Sequence, residues 1–318
     1  MSTRPVVLQA LSLLPSLERQ LNETYTVHRL PPAGAERDAF LVARGGEFDA
    51  LVTSAAGGAD AKLINALPKL RVISSFGVGL DQLDVAAATR RGIPVGYTPD
   101  VLNDCVADLA FGLVLATGRR IPEGDRFVRA GRWEQKPAAP FPLGCQVSGA
   151  NLGIVGLGRI GRTIARRASG FEMDVRYHSR RAVEGVAWTY EPSLLELAKW
   201  ADFLVVITAG GAETRHLIDA KVLDALGPQG FLVNVSRGTV IDEAALVKAL
   251  QDKRIGGAGL DVFEREPQVP RELFALDNVV MVPHIASATV QTREAMAKRV
   301  MDNLAAFFAG QPLPSAAA

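Results

Sequence analysis

Three residues of this chain have the types and the places to move a proton beside a carboxylate: Arg237, Glu266 and His284. Each follows an apolar, β-branched run. Arg237 comes after Phe231–Ser236, Glu266 shortly after Ala258–Asp261, and His284 directly after Val279–Pro283. Ligands of open α/β sheets bind beyond the carboxyl ends of the strands, so the three are placed to face one crevice. A guanidinium offers a rigid fork to a carboxylate and polarises the carbonyl beside it. An imidazolium gives a proton to a developing alkoxide, and an imidazole takes one back. A carboxylate on the second ring nitrogen fixes the ring and favours its charged form. The chemistry is reduction of a 2-oxo acid, given a hydride donor nearby. Taken singly, each residue has a plainer reading: Arg237 as a surface side chain, His284 as a turn residue after Pro283, and Glu264, Arg265 and Glu266 as a solvated charge cluster.

A site for the hydride donor is written at Asn151–Gly161. The apolar strand Leu152–Val155 breaks into Gly156-x-Gly158-x-x-Gly161, and the helix-forming Arg159–Arg167 follows. Gly156 permits the tight turn, Gly158 lets backbone approach a pyrophosphate, and Gly161 lets helix pack on strand. The helix N-terminus then offers its N–H groups to the phosphates. The alternative is a glycine turn in an ordinary α/β protein, but the strand before and the helix after supply the context a dinucleotide site needs. The next strand ends Tyr177-His-Ser179-Arg180-Arg181. An NAD-preferring site carries an acid at this tip for the ribose 2′-hydroxyl. Here Ser179, Arg180 and Arg181 supply donors and positive charge, which suit a 2′-phosphate. NADPH is therefore the expected cofactor, with NADH as a second possibility.

These residues need two sheets to position them. Strand candidates in the first part are Val6–Gln9, Tyr25–Arg29, Ala50–Thr53, Arg71–Ser74 and Pro94–Tyr97, with helical stretches such as Ala61–Leu67 and Leu83–Arg91 between them. A second alternation runs through Leu152–Val155, Asp174–Tyr177, Phe203–Ile207, Phe231–Val235, Ala258–Asp261 and Val279–Val282. Repeated βα units predict parallel sheets covered by helices. Pro99-Asp100 is expected to cap a long helix through Ala116 that is apolar nearly all round, buried in the monomer or at a subunit interface. The last helix, Thr289–Phe308, is expected to return and cover the first sheet. The fold class is thus α/β, with two Rossmann-like parallel-sheet domains separated by a cleft. Residues 1–99 and 290–318 form the substrate domain, flavodoxin-like, and 100–289 the dinucleotide-binding domain.

Composition removes other classes. The chain has 318 residues, with 35 Lys plus Arg against 34 Asp plus Glu. No charge excess points to nucleic acid or a membrane surface, and no apolar run approaches a membrane span. The N-terminus shows no secretory leader pattern. The two cysteines, Cys105 and Cys145, have no metal-site spacing and read as reduced thiols of a cytoplasmic protein; no metal is expected.

Leu232–Asp242, Gly259–Pro267 and Val282–Ser287 resemble the three signature segments of the D-isomer-specific 2-hydroxyacid dehydrogenases. Ser75–Asp81 and Val95–Leu102 resemble that family's substrate-domain segments, and the similarity runs from about Phe48 to Leu313. It is nearest in style to the glyoxylate/hydroxypyruvate reductase and plant hydroxyphenylpyruvate reductase branch. The resemblance implies a catalytic Arg237, Glu266 and His284. It implies a substrate carboxylate on the backbone N–H groups of Val78 and Gly79 beside Arg237, and Ser287 beside the histidine. It implies Asp261 near the nicotinamide carboxamide, and dinucleotide contacts from Val106, Arg159, Ile160, Thr208, Val235 and Ala286. It also implies a homodimer joined through the coenzyme domains, with Trp133 in a region able to reach the partner or else buried as core. Where many relatives carry a proline-containing turn, the loop Ala209–Thr214 has two glycines, so a freer backbone is expected there. Small 2-oxo acids such as glyoxylate and hydroxypyruvate are the expected substrates. The alternatives are bulkier 2-oxo acids (a hydroxyphenylpyruvate or a keto-sugar acid) and, in another class, a non-catalytic protein that senses dinucleotide.

Overall fold

The β-branched runs become the strands of two parallel sheets. The structure, a computed structural model, describes residues 4–137 and 139–317. The N-terminal part runs β1 (Val6–Gln9), α1 (Pro15–Thr24), β2 (Thr26–Arg29), α2 (Ala35–Arg44), β3 (Ala50–Ser54), α3 (Ala61–Asn65), β4 (Val72–Phe76), α4 (Val85–Arg90) and β5 (Val95–Gly96). Next come α5 (Asn103–Gly118), α6 (Ile121–Arg129), β6 (Asn151–Val155), α7 (Arg159–Ala168), β7 (Asp174–His178), β8 (Thr189–Tyr190) and α8 (Leu194–Trp200). The chain continues through β9 (Phe203–Val206), α9 (Ala220–Leu226), β10 (Phe231–Asn234), α10 (Glu243–Gln251), β11 (Gly257–Leu260), β12 (Val279–Met281) and α11 (Val290–Phe308). Two compact units result. One runs to Leu102 and resumes at Thr289; the other is Asn103–Ala288.

The first unit holds a five-stranded sheet in the order β2-β1-β3-β4-β5, the flavodoxin-like order. Every residue of β3 and β4 is buried, as expected of parallel strands covered on both faces. Side chains also set the helix starts: Asp60 and Asp84 accept from the amides of Leu63 and Ala87 at 2.8 Å each, caps worth about 1 kcal/mol. α11 packs on β4 and α1. Asn303 on α11 donates to the Tyr97 carbonyl at 3.2 Å, and Ala317 beyond it donates to the Val95 carbonyl at 2.7 Å.

The second unit holds a seven-stranded sheet in the order β12-β11-β10-β9-β6-β7-β8. Its first strand, β6, lies inside the sheet. The chain winds outward through β7 and β8, then restarts on the other side of β6 with β9. The switch point therefore lies between β6 and β9, where doubly wound sheets bind their ligands. β8, only two residues long, has no counterpart among the strand candidates. α5 begins only at Asn103, so Asp100 is not its cap; Asp100 lies three residues earlier with φ of 71°. Much of the apolar surface of α5 is covered inside the unit. Val106, Ala110, Phe111, Leu113 and Val114 are buried, and the helix packs on β10, β11, β12 and α7. Its polar edge, Asp104 and Asp108, meets Arg167 of α7 at 3.1 and 2.8 Å. Among the described residues no helix is long and apolar enough to cross a membrane.

Candidate active site

β6 delivers the glycine turn to the switch point. Gly156 has φ of 103°, which favours glycine. A Cβ at Gly161 would stand 2.1 Å from the Gly156 carbonyl oxygen, so only glycine lets α7 start so close to the strand. Gly158 precedes the helix with no side-chain cap, and nothing lies within 4 Å of its Cβ position. The first amides of α7, from Arg159, Ile160 and Gly161, therefore start beside open space. A pyrophosphate fits that cradle.

The other dinucleotide candidates flank this turn. Thr208 follows β9, and its Cα lies 2.9 Å from where a Gly156 Cβ would stand. Ser179, Arg180 and Arg181 follow β7, whose end is tied to the turn by the Gly156 amide donating to the His178 carbonyl at 2.8 Å. Ser179 donates its hydroxyl to the Arg181 carbonyl at 2.6 Å, and Arg180 pairs with Glu213 at 3.1 Å. Val235 at the end of β10, Val106 on α5 and Ala286 are buried. The loop Ala209–Thr214 closes on itself at Thr214. The Thr214 hydroxyl donates to the Ala209 carbonyl at 2.8 Å and its amide to the Gly211 carbonyl at 3.2 Å.

Arg237, Glu266 and His284 leave three adjacent strands, β10, β11 and β12, at their carboxyl ends. His284 Nδ1 lies 2.7 Å from Glu266 Oε2. The other carboxylate oxygen of Glu266 accepts the Phe263 amide at 3.1 Å. Burial pushes the Glu266 carboxyl up, yet the hydrogen bond and charge of His284, the Phe263 amide and the charge of Arg237 outweigh it and leave the group below the ordinary carboxylate value. The side chains of His284 and Arg237 thus both act on the Glu266 carboxylate. Arg237 Nη1 donates to the Ser236 carbonyl at 2.8 Å, and the Asn234 side chain holds the Arg237 carbonyl at 3.0 Å.

His284 has φ of 52°, a left-handed backbone that costs a non-glycine residue about 1–3 kcal/mol. Asp261 holds it there. The Asp261 carbonyl accepts the His284 amide at 2.8 Å. Its carboxylate accepts the next two amides, Ile285 at 2.6 Å and Ala286 at 3.1 Å. Burial pushes the Asp261 carboxyl up against the pull of those amides and of His284. Sequence reasoning singled out Asp261 for another reason and missed this clamp. It also missed Glu264, which receives Arg215 at 2.7 Å and lies 3.2 Å from His216 Nε2, while its amide donates to Glu243 at 3.0 Å. These contacts fasten the strand of chain that carries Glu266.

Gly238 fastens it from the other side. A Cβ there would lie 1.9 Å from the Phe263 carbonyl carbon. Gly238→Ala is expected to destabilise the protein by about 1–3 kcal/mol or more through overpacking, read as a lowered thermal midpoint. An unchanged midpoint would show that the two segments are not held in contact.

A cavity of about 270 Å³ opens beside the pair. Glu266 and His284 form one part of its wall, and Phe263, Pro267, Val269, Phe274, Met281, Val282 and Pro283 the rest. Ser287 is half-buried just beyond Ala286. Val78 and Gly79 lie in the first unit, in the loop after β4. Trp133 is 69% exposed. Among the described residues no cluster of His, Cys, Asp and Glu could hold a metal.

The family profile described as D-isomer specific 2-hydroxyacid dehydrogenase, NAD binding domain, matches residues 111–286. The chain belongs to the D-isomer-specific 2-hydroxyacid dehydrogenase family. It is 48% identical to a hydroxyphenylpyruvate reductase of Plectranthus scutellarioides over 93% of this chain and 94% of that one. It is 42% identical to a 2-ketogluconate reductase of Gluconobacter oxydans over 98% of each. It superposes on an NADPH-dependent glyoxylate/hydroxypyruvate reductase of Sinorhizobium meliloti, solved with NADP and malonate, with a TM-score of 0.92 and 43% identity, covering 99% of this chain and 97% of that one. This D-2-hydroxyacid dehydrogenase is accordingly an NAD(P)-dependent enzyme with two Rossmann-like parallel-sheet domains.

Proposed function

We propose that the enzyme reduces small 2-oxo acids, chiefly glyoxylate and hydroxypyruvate, to 2-hydroxy acids, of D configuration where the product is chiral, with NADPH as the preferred reductant. The observation that carries this is the 2.7 Å contact of His284 Nδ1 with a carboxylate that also feels Arg237. With Nδ1 engaged, Nε2 of His284 is the atom left to give a proton to the carbonyl oxygen as it becomes an alkoxide. Glu266, held as a carboxylate, stabilises the imidazolium before that transfer and fixes the ring. Arg237 binds the substrate carboxylate and polarises the adjacent carbonyl. The amides of Val78 and Gly79 and the Ser287 side chain are assigned to the substrate as well. Bound NADPH supplies the hydride. The amides at Arg159, Ile160 and Gly161 hold its pyrophosphate, with Gly156 and Gly158 giving them room. Val106, Thr208, Val235, Asp261 and Ala286 are assigned to the dinucleotide's flanks.

Ser179, Arg180 and Arg181 support NADPH over NADH, as does the NADPH dependence of the Sinorhizobium meliloti relative. Charged hydrogen bonds of about 1.5–3 kcal/mol give roughly 10–100-fold discrimination. Arg180→Ala is expected to lower the ratio of kcat/KM for NADPH over NADH by about that factor; an unchanged ratio would remove Arg180 as selector. We also assign the enzyme to the cytoplasm and a homodimeric state. The exposed Trp133, Phe141 and Leu143 of one segment give that dimer an apolar surface to bury.

A second reading, the same chemistry on bulkier acids, is favoured by the cavity beside Glu266 and His284. Its apolar lining suits an aryl group better than a polyhydroxy chain. A panel of 2-oxo acids assayed with each dinucleotide decides between them. Highest kcat/KM on glyoxylate and hydroxypyruvate supports the first reading, and highest kcat/KM on an arylpyruvate supports the second. Turnover of neither class contradicts both.

A further inference from the structure

The tip of β7, where the adenosine ribose is read, has no acid of its own, yet a carboxylate stands there. Glu213, in the turn Ala212–Thr214 after β9, accepts a hydrogen bond from Arg180 Nη1 at 3.1 Å. Both side chains are largely exposed. Thr214 closes the turn through its hydroxyl and amide, and the Gly156 amide ties the end of β7 to the glycine turn. The ion pair therefore joins the two loops that flank the pyrophosphate cradle.

We propose that Glu213 is a specificity-determining residue: by neutralising Arg180 from the neighbouring loop, it weakens selection for the 2′-phosphate and keeps NADH binding competitive. The proposal rests on the reading of Arg180 as the partner of that phosphate. A phosphate monoester carries nearly two charges and three acceptor oxygens, whereas a carboxylate carries one charge. The phosphate therefore displaces or shares the guanidinium, and Glu213 moderates the choice without blocking it. NADH has no phosphate to compete for Arg180, so its binding does not require the ion pair to open. Exposed ion pairs shift equilibria by up to about 5-fold, and salt screens them, so the effect is modest and dependent on ionic strength.

The test is equilibrium binding of NADPH and NADH, each followed by its own fluorescence, to wild type, Glu213→Gln, Arg180→Ala and the double variant. Glu213→Gln is expected to tighten NADPH by about 2–5-fold at low salt, to leave NADH unchanged, and to lose its effect as salt rises. In the Arg180→Ala background the same substitution is expected to do nothing. The proposal is overturned if Glu213→Gln weakens NADPH, since Glu213 would then be orienting Arg180 for the phosphate. It is also overturned if both dinucleotides shift alike or neither shifts. If Arg180→Ala leaves the NADPH to NADH binding ratio unchanged, the phosphate assignment falls and this proposal with it. If that ratio changes while Glu213→Gln is silent, the role of Glu213 alone falls.

Discussion

His284→Gln is expected to lower kcat/KM for 2-oxo acid reduction by about 10²–10⁴-fold, the usual contribution of a positioned general acid, while the dissociation constant of NADPH stays within error of wild type. Glutamine keeps polar atoms near Glu266 but cannot carry the proton. Glu266→Gln is expected to cost less, because the ring keeps a neutral partner and loses only the charge that favours imidazolium. The two carboxylate contacts also fix a pH signature. The folded pKa of Glu266 is depressed below its ordinary value of 4.5. Whatever stability the carboxylate adds is therefore complete above the unfolded value and is lost as pH falls through the depressed one. From pH 4.5 upward the pair should keep its carboxylate, so a loss of activity between neutrality and that pH reports another group. Comparing kcat/KM profiles of wild type and Glu266→Gln over that range checks this: a wild-type limb above 4.5 that vanishes in the variant would contradict the assignment.

Arg237→Ala is the second large effect. Truncating one partner of a desolvated charge pair costs on the order of 2–5 kcal/mol, which is roughly 30- to 5,000-fold in kcat/KM. Arg237→Lys is expected to recover little of this, because a point charge replaces a planar fork. The site gives the fork a fixed direction. The Arg237 carbonyl is held by Asn234, the guanidinium by the Ser236 carbonyl, and the next residue, Gly238, is pressed against Phe263. If Arg237→Lys matches wild type on glyoxylate, the arginine contributes charge alone and the bidentate reading fails.

Much of this was legible in the chain. The strands lie where β-branched runs lie, because parallel strands covered on both faces need unbroken apolar side chains. The glycine turn was legible because a left-handed φ at Gly156 and a 2.1 Å approach at Gly161 leave no other residue type. Arg237, Glu266 and His284 were legible as positions after strands, and so was the pairing of Glu266 with the His284 ring; that the charge of Arg237 reaches the same carboxylate was not, since it depends on β10, β11 and β12 being neighbours. The Asp261 clamp was hidden for the same reason: it needs a strained His284 and two amides of a segment more than twenty residues away. Glu213 was hidden because its partner Arg180 lies on another loop. α5 was ambiguous because an apolar helix looks the same whether its cover is a partner or its own sheet. The structure supplies much of that cover from β10, β11, β12 and α7.

The most direct measurement mixes preformed enzyme–NADPH with hydroxypyruvate in a stopped-flow instrument, for wild type, His284→Gln, Glu266→Gln and the double variant, and determines the handedness of the product. Wild type should consume one NADPH per site and form the D-acid. The double variant should be no slower than His284→Gln alone, because the two residues act as one unit. Wild type that binds NADPH but leaves it unoxidised, or His284→Gln that oxidises it at the wild-type rate, would contradict the account.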